Sequence, residues 1–132
     1  MNILITRPLM DAEDLMEKFF AYGHKIIHLP TLKISTVKTE LVNPDNFDAF
    51  VFTSANAVKN LKLANTNKNL YCFCVGSITE KIARQSGFTN TISAGGTVNA
   101  LKNLIMISDK VNKNSNLAYF CSDNISYDLD LE

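Results

Sequence analysis

The chain has 132 residues, of which 46% are hydrophobic and 20% charged, and its 13 basic and 13 acidic side chains give a formal net charge of zero. That length suits one ordinary domain, or one domain and part of another, and the apolar content fills a core and speaks against disorder. Balanced charge excludes a global basic field for nucleic acid, so any anionic ligand has to be held by local groups.

Strand and helix signals alternate from the first residues. Residues 2–6 (NILIT) read as a short strand stopped by Arg7-Pro8. This run is too short for a signal segment. Nothing in the chain approaches the roughly 20 apolar residues of a membrane span, so the protein reads as cytoplasmic with no membrane partner. A helix is predicted over 11–22. Leu15, Phe19 and Tyr22 recur at spacings of four and three, Asp11, Glu13 and Asp14 complement the helix dipole, and Gly23 stands where a left-handed cap belongs. Residues 24–34 are extended and contain Pro30, which suits a linker or an edge. Residues 36–47 are polar and carry the turn signal Asn43-Pro44-Asp45, which marks a boundary.

A second alternating series follows. Residues 48–53 predict a buried strand, 55–63 a short helix and 70–75 the next strand. A helix over 78–86 opens with Ser77-Ile78-Thr79-Glu80, the spacing of a capping box, and is closed by Gly87. Residues 91–94 form a strand, Gly95-Gly96 a turn, and 97–107 a helix with Val98, Leu101, Leu104 and Ile105 on one face. Residues 117–121 are another strand, and 122–132 begin a further loop and helix. Such alternation predicts an α/β fold with a parallel, doubly wound sheet.

In such sheets ligands bind at the carboxyl ends of the strands, against the helices that follow. Five corners occupy that place: Thr6-Arg7-Pro8, Thr53-Ser54-Ala55-Asn56, Gly76-Ser77-Ile78-Thr79, Gly95-Gly96-Thr97 and Cys121-Ser122-Asp123-Asn124. Hydroxyls, amides and free backbone N–H groups there suit carboxylates or phosphates, although helix capping alone explains each corner singly. The glycine fingerprint of dinucleotide sites, the Walker loop and the Gly-x-Ser-x-Gly elbow are all missing from the sequence. His24 and His28 have no cysteine or carboxylate at ligand spacing, and Cys72 and Cys74 alternate on one strand face as small buried thiols. The residues alone therefore predict no metal and no cofactor, and an α/β domain with an anion-binding edge.

Several segments, taken in order, resemble the uroporphyrinogen-III synthase family. They are Ile3-Leu4-Ile5-Thr6-Arg7-Pro8 with its helix ending at Gly23, Phe52-Thr53-Ser54-Ala55-Asn56-Ala57-Val58, and Val75-Gly76-Ser77-Ile78-Thr79-Glu80-Lys81-Ile82-Ala83 closed by Gly87-Phe88. Ala94-Gly95-Gly96-Thr97 with Ala100-Leu101 completes the set. The resemblance implies two α/β domains joined by a two-stranded connector, the first of them split between the chain's two ends. Residues 1–35 would be the N-terminal piece of the split domain and connector, and 36–132 a nearly complete, flavodoxin-like second domain.

The implied substrate is hydroxymethylbilane, a linear tetrapyrrole with eight carboxylates. It is closed to uroporphyrinogen III with inversion of ring D and loss of water, through a spiro intermediate. The family needs no metal or organic cofactor and no nucleic acid, and its full-length members are implied to be monomers. Carried over by position, Arg7, Ser54, Asn56, Ser77, Thr79 and Thr97 are the substrate-binding residues, and Thr79 matches a threonine held to contact substrate. The tyrosine used near the leaving group falls beyond residue 132, so no catalytic residue is assigned. Because the rest of the first domain is missing, the chain alone is expected to be inactive. Residues 1–35 are expected to pack as an appendage, exchange between chains or stay mobile. The alternative from another class is a non-enzymatic α/β module that holds an anionic small molecule or a partner protein.

Overall fold

A computed structural model describes residues 1–36 and 40–121, so the loop and helix expected over 122–132 lie outside the described residues. The chain divides into two compact units, Met1–Lys38 and Thr39–Glu132.

In the first unit, β1 (Asn2–Ile5) and β2 (Lys25–His28) pair in parallel, with Asn2 opposite Lys25 and Ile5 opposite His28. Helix α1 (Leu9–Ala21) connects them. It begins directly after Pro8, whose φ of −52° already suits a helix, and so starts two residues before the first turn predicted from the acidic cluster. Beyond its C-terminus, Gly23 takes a φ of +79°. The amides of Gly23 and His24 then return to the carbonyls of Phe20 and Phe19, which closes the last turn. Two strands and one helix bury little. Ala12 is fully buried and Ile5 nearly so, while Leu4, Phe20, Ile27 and Leu29 all remain more than 45% exposed.

The second unit is a four-stranded parallel sheet in the order β5-β4-β3-β6. Its strands are β3 (Ala49–Phe52), β4 (Tyr71–Cys74), β5 (Asn90–Ser93) and β6 (Leu117–Phe120). Helices α2 (Ala55–Asn60), α3 (Ser77–Gln85) and α4 (Val98–Ile107) alternate with them. The two-residue period of a strand divides the side chains between two cores. Phe50, Phe52, Cys72 and Cys74 pack with Val58 of α2, Ala83 of α3 and Phe88 on one face. Ala49, Val51 and Phe73 pack with Leu101 and Ile105 of α4 on the other. Helices thus cover both faces, and the sheet is parallel and doubly wound as the alternation predicted. Burial pushes the thiols of both buried cysteines up, that of Cys74 to about 12, so both are held as neutral thiols. Among the described residues, no helix is long and apolar enough to cross a membrane.

Two sequence expectations are corrected. Helix α2 stops at Asn60, not at residue 63, and Leu61 turns to extended backbone. Tertiary pairing overrides helix propensity there: Val42 donates to the Lys62 carbonyl, and Ala64 donates to the Val42 carbonyl at 2.8 Å. The capping box at Ser77 does not form either. Gly76 occupies the cap position with no side-chain hydrogen bond, and Ser77 is the first residue of the helix.

The Glu80 carboxylate is drawn instead to Arg84, at 2.8 Å, and to the Thr91 hydroxyl on β5, at 3.2 Å. Hydrogen bonds from Ser93, Arg84 and Thr91 hold this carboxyl below the usual carboxylate range. A depressed folded-state value stabilises the fold above the unfolded value near 4.5, and the contribution is lost as pH falls through the folded value. Urea midpoints taken between about pH 7 and about pH 3 should therefore show a shallower acid loss in Glu80→Gln than in the parent. An identical acid limb in both proteins would remove Glu80 from the pH response.

Candidate functional site

Because all four strands of the second unit run parallel and in register, the residues after each strand come out on one edge of the sheet. Phe52 stands opposite Cys74 and Phe120, and Cys74 opposite Ser93. Backbone bonds stitch the successive corners together. Val75 donates to the Phe52 carbonyl at 2.9 Å, Ala94 to that of Cys74 at 2.9 Å, and Gly96 to that of Val75 at 2.8 Å.

The three helix starts on this edge differ. Ser54 caps α2, its Oγ accepting from the Asn56 amide at 3.1 Å, and Thr97 caps α4, its Oγ1 accepting from the Ala100 amide at 3.1 Å. A hydroxyl that accepts in a cap keeps its own proton available, so both can still donate to a ligand oxygen. Helix α3 has no side-chain cap at all, and its first-turn amides point out of the edge with the positive end of the helix dipole. The fit is close: a Cβ placed on Gly76 would stand 3.3 Å from the Gly96 Cα. Glycine here permits two backbones to touch and leaves the amides uncovered.

The structure brings Ser54, Asn56, Ser77, Thr79 and Thr97 to this one edge, in differing environments. Ser77 and Thr97 are exposed, and Ser54 and Asn56 are half-buried. The Asn56 carbonyl is engaged by the Asn60 side chain at 2.8 Å. Thr79 is only 5% exposed and lies one turn before Ala83 on the buried face of α3. Its side chain faces the core, a placement that gives it a packing role whatever else it does. Arg7 belongs to the first unit, in the loop after β1. It is exposed, and its carbonyl accepts from His28 Nε2 at 2.9 Å. The Cys121-Ser122-Asp123-Asn124 corner lies outside the described residues beyond Cys121.

One pair of residues escaped the sequence reading. The Thr53 Oγ1 and the Tyr119 hydroxyl lie 3.5 Å apart, joining β3 to β6 across 66 positions. A tyrosine inside an apolar strand carries no local sign of that partner. Among the described residues, no group of three His, Cys, Asp or Glu side chains stands together in a way that could hold a metal ion. An apolar groove lined by Tyr71, Ile92, Leu104 and Ile107 lies toward the amino end of the sheet and shares no residue with these corners.

The family model described as uroporphyrinogen-III synthase HemD matches residues 13–131. A search of curated proteins returned no match.

Proposed function

The chain belongs to the uroporphyrinogen-III synthase family, and on that footing we propose that it binds hydroxymethylbilane and takes part in closing it to uroporphyrinogen III. One observation carries this reading: the shared carboxyl edge, where an uncapped helix start stands among hydroxyls that retain donor capacity. An octacarboxylate needs many separate donors more than it needs net positive charge, and a chain of zero net charge offers them only locally. In the proposed reaction, loss of water from the hydroxymethyl end leaves an electrophilic carbon that the substituted carbon of ring D attacks. The spiro intermediate then rearranges to the inverted ring. The protein's part is to hold the chain bent, with its carboxylates anchored, so that this carbon is presented ahead of its neighbours.

Arg7, Ser54, Asn56, Ser77 and Thr97 are the proposed contacts. Thr79 is proposed to act through the first turn of α3, consistent with its burial. Residues 1–35 are proposed to be part of a split first domain, in keeping with the apolar side chains that its two strands leave exposed. The assay supplies enzymatically generated hydroxymethylbilane and resolves isomers I and III. Residues 1–132 alone are expected to give little or no isomer III, with activity appearing once the second half of the first domain is supplied. Full activity of the isolated chain would overturn the split-domain reading. No isomer III from the completed protein would instead favour an α/β module that binds an anion without turning it over.

A further inference from the structure

The strand order places an unassigned pair of hydroxyls where the sheet changes direction. From β3 the chain steps to β4 and β5 through α2 and α3 on one face. It then returns through α4 on the opposite face to β6, on the other side of β3. In open α/β sheets, the crevice at the carboxyl end of such a reversal is where ligands enter. The side chains of Thr53, next after β3, and Tyr119 of β6 meet between these two strands.

Both belong to the α4 face. Thr53 continues the alternation of Ala49 and Val51, and Tyr119 packs against the cluster that these two form with Phe73, Leu101 and Ile105. That face also carries Thr97, at the start of α4 and at the same end of the sheet. Both hydroxyls are half-buried, and they lie 3.5 Å apart. The phenol ring is fixed by the α4 core, which leaves only the direction of its O–H to be set. Either oxygen can be the donor at this distance; with Thr53 Oγ1 donating to the phenol oxygen, the phenol O–H is left to turn toward a stronger acceptor.

We propose that the Tyr119 phenol, oriented by Thr53, donates a hydrogen bond to a carboxylate of the tetrapyrrole at the β3–β6 crevice. Tyr119 is thus a substrate-binding residue, and Thr53 a positioning residue behind it. This inference rests on the tetrapyrrole reading above.

The test titrates residues 1–132 with uroporphyrin III, a stable octacarboxylate, by fluorescence, and follows each variant by urea unfolding. Tyr119→Phe should weaken binding about tenfold, the scale of one hydrogen bond to a charged group. Thr53→Val should weaken it less, and the double variant should bind no worse than Tyr119→Phe alone, because Thr53 acts through the phenol. Urea midpoints should stay at the parent value, which a purely structural role would not allow. Parent-like affinity in Tyr119→Phe and Thr53→Val, with binding still weakened by Ser54→Ala and Thr97→Ala, would overturn this inference and leave the tetrapyrrole reading standing. A parent chain that does not bind uroporphyrin III would overturn that reading and this inference with it.

Discussion

Replacing Phe50 with alanine is expected to remove about 3–5 kcal/mol of unfolding free energy, a large share of the roughly 5–15 kcal/mol typical of a small domain. Phe50 is fully buried on β3, one of the two inner strands, and meets four other rings. Phe47, Phe52 and Phe88 lie 6.0 Å away by centroid and Phe120 lies at 4.9 Å, all of them edge-on. Truncation to alanine forfeits the transfer energy of the ring and opens a cavity walled by aromatics from β3, β6 and the turn after α3. Rigid strands on either side cannot collapse into it. Equilibrium urea unfolding measures the loss, with Tyr22→Ala as a control because Tyr22 is 80% exposed. A loss below about 1 kcal/mol in Phe50→Ala would mean that this ring cluster is not the core of the unit.

The second large effect is expected at the binding edge. Gly76→Val should weaken tetrapyrrole binding by at least about tenfold while costing far less stability than Phe50→Ala. The backbone of Gly76 is extended, with φ −160° and ψ 177°, so valine meets no conformational barrier there. The obstacle is contact. A first carbon already crowds the Gly96 Cα at 3.3 Å, and the two methyl groups beyond it push the Gly95-Gly96 turn aside and cover the amides at the start of α3. Gly76→Ala should fall between parent and Gly76→Val, since the turn has to give by only a few tenths of an ångström. The paired readouts are uroporphyrin III affinity and the urea midpoint. Unchanged affinity in Gly76→Val would show that the opening of α3 is not where the ligand sits.

What could be read from the residue order, and what could not, divides by distance along the chain. Short continuous apolar runs such as Ala49–Phe52 located the strands, because the composition of a buried strand is a local property. Gly23 and Gly87 located helix ends, because left-handed backbone is a demand on one residue. Parallel strands then follow from the helices between them, which brings the hydroxylic corners to one edge. The failures came where a distant partner decided the outcome. Glu80 has the spacing of a capping residue, but Arg84 and the hydroxyls of Thr91 and Ser93 compete for its carboxylate and win. Leu61 continues a helical pattern, yet Val42, some 20 positions earlier, captures the backbone around Lys62. The burial of Thr79 is also set at a distance, since only the packing of α3 turns its side chain inward. Lys68 is a similar case. It reaches from a loop to the Ser86 carbonyl at the end of α3 and lies 5.9 Å above the Phe88 ring, an arrangement that no local pattern announces.

The position of β3 between β4 and β6 also sets an order of events during synthesis. Its partner β4 follows within about two dozen residues, but Ala49 pairs on its other side with Leu117, and the Asp48 carboxylate reaches the Asn116 amide across 68 positions. A ribosome adding roughly 5–20 residues per second needs several seconds to cover that interval. Throughout it, the most apolar strand of the nascent chain has one hydrogen-bonding margin bare. Closing so wide a loop also costs the refolding chain more entropy than joining β3 to β4. The late arrival of β6 is therefore when the protein is most prone to pair with a neighbour, and when a chaperone would have most to shield.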